Sequence, residues 1–570
     1  MRRPIALLLA VFVVLTASSA EPRAQATKRH PLAPNDVDAI TQLVKLEDTR
    51  QLDETTLTKV LQSKHPEVRR RAVVTVGRIV DPRSRALLIS LRNDPDTEVV
   101  ASVAFASGQL KDTGAVAWLG DLLKAPKTPP VVAREAACAL GKIRSEEAHA
   151  ALARYLAEAP SIAAAAPVVG ETLLSMGRFT PSGDIAPIVR WTTARNVELR
   201  WRAVWALFRP RDPAAIPHLL KLSKDASGEV RFWAVRGLAP AIVDQSGTSR
   251  AVTSARLREA VKDPDRRVRT EALRALTAYD DDESFEVVIA SLDAPDTWLS
   301  VSAAEALGRF KSRKDIVVPK LVAAMAPARP LSLRITALTP LAALAPEAAV
   351  GPADALMREP SLVARTAAAQ VLRASAAGRA RLDALAADPA TQGMVPAAAG
   401  GSGRGRSGAP SRPVKSDDEY RRIVERWIVS DYNGSAKPRV RLETPRGTIE
   451  VELYPGDAPM GVEYLQSVVT CGAIVGTEFG RVVPNFVAQQ RGIGNDAPLR
   501  DEVNRHGLTR GNLSWASSGL DTGRPGYTLG STPQPHNEGD FTALGRVIRG
   551  LDVVDRLELG DRITRAQIVR

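Results

Sequence analysis

A motif of about a dozen residues recurs through the first two-thirds of the chain, and its spacing constrains the fold more than any other feature. "EVRRRAVVTVGRI" around Val68 returns as "NVELRWRAVWALF" around Leu199, "EVRFWAVRGLA" around Val230 and "RVRTEALRALT" around Val268. Aligned on the leading Val or Leu, arginine follows at Arg69, Arg200, Arg231, Arg269 and Arg334. Alanine sits four places on at Ala72, Ala203, Ala234, Ala272, Ala303 and Ala337. An apolar residue sits eight places on at Val76, Leu207, Leu238, Leu276, Leu307 and Leu341. The anchors Val68, Val99, Val132, Val168, Leu199, Val230, Val268, Leu299, Leu333 and Leu362 are separated by 31, 33, 36, 31, 31, 38, 31, 34 and 29 residues.

Positions 0, +4 and +8 share one helical face, and small alanines there let helices approach closely. Second helices such as "SRALLISLRND" and "IPHLLKLSKD" lie between, and Asp-Pro turns at 94–96 and 263–265 break one helix and cap the next. A two-helix unit of about thirty residues cannot bury its own apolar face, so the units must stack into a superhelix. This pattern resembles a HEAT-type repeat solenoid over 36–388, which implies a scaffold for a protein partner or, equally, a spacer. Residues 389–415 come next as a linker rich in Gly, Ser, Pro and Arg. Its formal G-x-G-x-x-G (Gly403, Gly405, Gly408) lacks the strand and helix that a dinucleotide site needs. Over 416–434, Ser416 and Glu419 have capping-box spacing, and Tyr420, Ile423, Val424, Trp427 and Ile428 form one stripe. That is an amphipathic helix expected to dock on the domain C-terminal to it.

From 438 to 570 the pattern changes to short β-favouring runs with two helices, near Pro459–Thr470 and at "GLDVVDRL", which predicts a closed antiparallel barrel. The expected fold class is therefore multidomain, an all-α solenoid followed by a β-barrel. The formal net charge of +13 does not point to nucleic acid. The barrel segment is nearly neutral, with 15 Arg, no Lys and 16 Asp or Glu, and no basic run is interleaved with aromatics. No nucleic-acid partner is expected.

At the N-terminus, Arg2 and Arg3, an apolar run from Ile5 to Leu15 and then Ser18-Ser19-Ala20 read as a cleavable export signal. Cleavage after residue 20, or as late as 26, gives an exported protein, periplasmic or secreted, with no stable membrane insertion. Two cysteines, Cys138 and Cys471, fall in different domains, and the six histidines show no metal-ligand spacing. No metal and no cofactor are expected.

The stretch "TEFGRVVPNFVAQQRG", 477–492, places Arg481 and Gln489 on strands otherwise suited to a core. It resembles the Phe-x-Arg-Val-[Ile/Val]-Pro-x-Phe-x-x-Gln signature of the cyclophilin-type peptidyl-prolyl isomerases. Similarity continues through "VRLETPRGTIEVELYPGDAP", "LRDEVNRHGLTRGNLSWASSG" and "PQPHNEGDFTALGRVIRGLDVVDRL", covering 438–570 in order. The resemblance implies that Arg481 is the catalytic donor, that Phe486 lines the proline slot and that Gln489 binds the peptide backbone. Val487, Ala516, Ser517, Gly526, Thr528 and His536 occupy the remaining substrate-binding positions, and the implied clients are proline-containing polypeptides.

The pattern breaks at "GRPGYTLG", 523–530. There Gly526 stands where the family has a second glutamine, and Thr528 where it has an aromatic. His536 fills a position often held by tryptophan, and Gly480 and Arg491 also depart. A lost hydrogen bond costs roughly 0.5–1.5 kcal/mol and an opened apolar slot roughly 2–4 kcal/mol. The sequence therefore predicts an exported isomerase of weak or altered specificity on a repeat scaffold. The alternative is a non-catalytic peptide-binding scaffold with a degenerate barrel; a solenoid lyase is a remote third.

Overall fold

The computed structural model describes residues 30–181, 183–396, 414–490 and 499–569. The signal segment and most of the linker lie outside the described residues. Ten helices form the inner layer of the solenoid: α1 (Pro66–Ile79), α2 (Thr97–Gln109), α3 (Pro130–Ile143), α4 (Ala166–Met176), α5 (Val197–Phe208), α6 (Gly228–Arg236), α7 (Arg266–Leu276), α8 (Thr297–Leu307), α9 (Leu331–Leu344) and α10 (Leu362–Ala374). Each packs on the next. The approach is close enough that a Cβ on Gly108 would lie 2.8 Å from Ala139 Cα, and one on Gly141 2.6 Å from Ser175 Cβ. Some outer segments are short or irregular: Pro82–Leu91 winds as 3-10 helix and Ile216–Leu222 as two α-turns.

The arginine after each anchor has a common task. Arg69 reaches forward to Asp94 through Nε and Nη2, both at 2.8 Å, while its Nη1 caps the carbonyls of Ser63 and Lys64. Arg231 does the same to Asp263 and to the carbonyls of Asp225 and Ala226. These bidentate pairs tie each repeat to its successor. Asp96 and Asp265, at the ends of the Asp-Pro turns, cap the following helices. Nine of the ten anchors are buried, whereas Leu362 is 49% exposed. The last anchor is Ala364, because Arg365 caps the carbonyls of Glu359 and Pro360 as Arg69 does those of Ser63 and Lys64.

The C-terminal part is one antiparallel sheet of β1 (Arg439–Thr444), β2 (Gly447–Leu453), β3 (Phe479–Val483), β4 (Val487–Gln490), β5 (Asn512–Ala516), β6 (Arg524–Gly530), β7 (Ala543–Arg549) and β8 (Arg565–Val569). The order is β3-β4-β6-β5-β7-β2-β1-β8. The two terminal strands meet through the bridge Glu478–Arg562 and the bonds Phe479 N to Asp561 O (2.9 Å) and Ile563 N to Thr477 O (3.0 Å), which curl the sheet into a barrel. Helix Pro459–Thr470 packs on it, burying Val462, Leu465 and Val469.

The two parts are not independent. One hydrophobic core runs from Ile40, Leu57, Val73 and Val103 of the first repeats through Tyr420 and Ile428 to Val451, Phe479 and Trp515 of the barrel. The amphipathic segment forms as expected, with both halves of the Ser416–Glu419 capping box made and the expected stripe buried. It docks on both sides: Tyr420 Oη donates to Asp48 of the helix Pro34–Thr49 that precedes and packs on α1 (2.7 Å), and Trp427 Nε1 to Glu463 of the barrel helix (2.6 Å). Further contacts run along the solenoid to its last repeat. Arg50 pairs with Asp521, and Arg266 donates to Asp555 O (2.9 Å). At the far end Glu478, 6% exposed, accepts from Ser361 Oγ and the amides of Leu362 and Val363, capping α10 from the barrel side. Because first, middle and last repeats all touch the same barrel, the solenoid wraps around it.

Candidate functional site

Register places Arg481 opposite Gln489, Gln489 opposite Thr528, and Thr528 opposite Ser514. Directly opposed residues of antiparallel strands face the same side, so these four side chains form a row across β3, β4, β6 and β5. Arg481 Nη1 lies 3.4 Å from Gln489 Oε1, and its guanidinium 5.4 Å from the centre of the Phe486 ring. Partial burial lowers the Arg481 pKa, but a guanidinium remains a cation at neutral pH. At the other end of the row, the hydroxyls of Thr528 and Ser514 share a hydrogen bond of 2.7 Å.

Phe486 sits on the tight turn between β3 and β4. Asn485, with φ 60° and 1% exposure, bends that turn. It is held from three directions: Asn485 Nδ2 donates to Arg267 O (2.9 Å) and Glu271 Oε1 (3.0 Å) of α7, and Thr532 Oγ1 donates to Asn485 O. Arg274 of α7 donates to Pro484 O at 2.7 Å. The solenoid thus fixes the backbone that carries Phe486. Gln534 Nε2 and Ser531 N both donate to Phe486 O. The His536 ring stacks on Phe486 at 6.3 Å between centroids, tilted by 22°. Burial first, then the charges of Arg209, Arg236 and Arg178, push its pKa down to about 4, so the ring is neutral at pH 7.

Arg481, Phe486, Gln489, Thr528 and His536 therefore come together. Val487 is buried two places from Gln489, on the same face and opposite Gly530. Ala516 pairs with Arg524 across a register shift, since Trp515 pairs with Tyr527. Gly526 lies in that bulge and presents no side chain to the row. Ser517 turns away: its hydroxyl meets Thr522 Oγ1 (3.0 Å) and accepts from Gly519 N (3.2 Å), fastening its own loop. Sequence reasoning missed Ser514, Asn485 and Gln534, and the solenoid arginines around His536. Ser514, two places before Ala516 on one strand, carried a signal in the alternation; the others carried none.

A curled antiparallel barrel with an arginine, a phenylalanine and a glutamine on one rim, embraced by a helical-repeat solenoid, defines a repeat-scaffolded barrel of the prolyl-isomerase type. The chain belongs to the cyclophilin-type peptidyl-prolyl cis-trans isomerase family. The family model described as cyclophilin type peptidyl-prolyl cis-trans isomerase/CLD matches residues 439–569. The model for HEAT repeats matches 21–107, 85–169 and 253–331, and that for the PBS lyase HEAT-like repeat matches 199–225. A peptidyl-prolyl cis-trans isomerase of Synechococcus elongatus is 35% identical over 136 residues, covering 22% of this chain and 94% of the relative. Peptidyl-prolyl cis-trans isomerase B of Bacillus subtilis is 34% identical over 128 residues, covering 21% of this chain and 90% of the relative.

Proposed function

We propose that the chain catalyses cis-trans isomerisation of prolyl peptide bonds in polypeptide clients, at a reduced rate. The observation that carries this reading is the placing of Arg481 beside both Phe486 and Gln489 on one rim. Rotation about an amide bond crosses a barrier of about 18–20 kcal/mol because it breaks resonance, and unaided isomerisation takes on the order of tens to hundreds of seconds. No bond to heavy atoms forms or breaks, so neither nucleophile nor proton transfer is required. As the amide twists, its nitrogen lone pair localises and becomes a hydrogen-bond acceptor. The Arg481 guanidinium, planar and permanently charged, supplies a fixed donor that gains strength only in the twisted state. Phe486 and the neutral His536 ring offer apolar surface to the pyrrolidine ring, and Gln489 holds the flanking backbone.

Reduced turnover is expected from the other half of the row. Thr528 and Ser514 satisfy each other where an apolar floor would grip the ring, and the bulge at Gly526 supplies no second amide side chain. The same features favour a second reading, a peptide binder without turnover. Line-shape or exchange NMR on an Ala-Pro peptide with the full chain decides between them. Wild type should accelerate exchange and Arg481→Ala should lose on the order of a hundredfold, the scale for removing one transition-state donor. Equal rates for the two proteins would establish the binder. We further propose export to the periplasm or medium, motivated by the basic, apolar and small-residue order of the first twenty residues. N-terminal sequencing of the mature protein should begin at Glu21 or within the next few residues; an intact Met1 in soluble cytoplasmic protein would refute it.

A further inference from the structure

The position ten places beyond each repeat anchor, at the C-terminal end of the inner helices, carries a side-chain donor in six repeats: Arg78, Gln109, Lys142, Arg178, Arg209 and Arg309. The first four face the barrel. Arg78 donates to Val503 O (2.9 Å), Gln109 to Gly539 O (2.9 Å) and Arg178 to Pro535 O (2.8 Å), while Lys142 Nζ lies against Gly539. Arg209, the next rung, breaks the series. It is exposed, and its guanidinium has no hydrogen-bond or ion-pair partner among the described residues. Burial first, then the charges of the nearby Arg236, Arg144, Arg178 and Arg211, lower its pKa.

This open rung stands beside the proline slot. Arg178 holds the carbonyl of Pro535, the residue before His536, and His536 stacks on Phe486. From the other side, Arg236 lies over the Phe208 and Trp233 rings and 3.8 Å from Glu271, whose other oxygen accepts from Asn485, the residue before Phe486. Of these five arginines only Arg178 (Glu538, 3.5 Å) and Arg236 (Glu271, 3.8 Å) have a carboxylate in ion-pair range among the described residues, so positive charge is in excess there, a local cost that an anionic ligand would relieve.

We propose that Arg209, with Arg236 beside it, completes the peptide-binding site from the solenoid side and selects proline segments that carry an acidic side chain near the proline. The inference rests on the reading of the barrel rim as a peptide slot and adds a substrate class to it. A guanidinium fork receives a carboxylate through two parallel hydrogen bonds, and the neighbouring arginines lower the cost of bringing that charge to the interface. Barrel and solenoid together form the site, with the barrel reading the proline and the solenoid its acidic neighbour.

The test uses the full chain and three fluorescent peptides, identical except for glutamate, alanine or lysine flanking an Ala-Pro bond. Affinity is read by anisotropy and isomerisation by exchange NMR. The glutamate peptide should bind about tenfold more tightly than the alanine peptide, with lysine weakest, and the preference should shrink as salt is raised. Arg209→Glu should bring the glutamate-to-alanine ratio to one or below, and Arg209→Lys should restore part of it. Because Arg209 is exposed, an unchanged circular-dichroism melt will show that the variants fold. Equal binding of the three peptides, or a glutamate preference that survives Arg209→Glu, overturns the proposal. If no peptide is turned over yet the Arg209-dependent preference in binding persists, the isomerase reading falls and this inference stands.

Discussion

The solenoid grip on the barrel can be tested at Arg78. This arginine, 5% exposed at the C-terminal end of α1, donates to Val503 O (2.9 Å), Asp457 O (2.5 Å) and Glu502 O (3.3 Å) of the barrel. Its Nη1 also reaches Glu47 Oε2 at 2.7 Å, and among the described residues the Glu47 carboxylate has only the Thr75 hydroxyl as a further hydrogen-bond partner (2.6 Å). In Arg78→Ala three carbonyls lose a donor and a buried carboxylate loses its counter-charge. Breaking one partner of a buried pair costs about 3–5 kcal/mol. Each unpaired carbonyl would add about 1–3 kcal/mol if the site stayed dry. Water entering the vacated space will recover much of the second contribution, so the expected loss is about 3–5 kcal/mol in all, against a total of roughly 5–15 for a typical domain. Urea unfolding of the full chain gives the stability change, and hydrogen exchange over Asp501–Val503 reports whether that barrel segment opens. Adding Glu47→Gln to Arg78→Ala should recover part of the loss, because the stranded charge is then removed. A change below about 0.5 kcal/mol, the scale of a neutral surface substitution, with unaltered exchange would show that barrel and solenoid are not docked this way in solution.

Three further outcomes are expected. A chain cut at a protease site inserted within 397–413 should elute as a single species, held by the shared core; separation of the halves at micromolar concentration would contradict that core. Glu478→Gln weakens the cap it provides to Leu362 N and Val363 N and its pair with Arg562, so thermal unfolding should show about 1–2 kcal/mol lost, and an unchanged melt would rule the cap out. Burial pushes the Glu502 carboxyl up to about 7 from 4.5, despite Arg78 and the amides of Met460 and Gly461. The unfolded chain then loses this proton first, so stability is full below about pH 4.5 and falls as pH rises through 7; Glu502→Gln should flatten that slope, and parallel profiles would refute the assignment.

What the sequence disclosed and what it withheld divide along a physical line. Apolar periodicity depends on one element at a time, so the repeat anchors and the stripe from Tyr420 to Ile428 were legible. The misplaced tenth anchor shows the limit: Leu362 looks apolar, but Arg365 capping Glu359 O and Pro360 O sets the register from Ala364. Recurrent arginines were visible, yet their meaning lay a repeat away, at Asp94 for Arg69 and Asp263 for Arg231. Arg481, Phe486 and Gln489 could be named because three residue types sit in one short motif. The docking of barrel on solenoid could not be read, because many of its acceptors are backbone carbonyls such as Pro484 O, Pro535 O and Val503 O, which every sequence possesses, and the carboxylates among the rest lie hundreds of residues from their donors. Two modules on a loose linker was the natural expectation; long-range donors made them one body.

The altered slot and the open arginine bear on each other through their magnitudes. Replacing an aromatic floor by the Thr528–Ser514 pair forfeits about 2–4 kcal/mol of grip on a proline ring. A charge-assisted hydrogen bond from the Arg209 guanidinium contributes about 1.5–3 kcal/mol once a bound peptide covers it. One acidic contact at Arg209 therefore offsets most of what the barrel has lost, but it acts in the ground state and the twisted state alike. Uniform binding of that kind strengthens capture without speeding rotation. Restoring the floor and removing the arginine should separate the two effects. Thr528→Phe should raise kcat for acidic and neutral peptides together, provided Ser514→Ala accompanies it to avoid a stranded hydroxyl. Arg209→Glu should raise KM for the acidic peptide and leave its kcat near wild type. If Arg209→Glu instead lowered kcat and spared KM, the arginine would act on the twisted amide itself, and the division of labour between barrel and solenoid would be wrong.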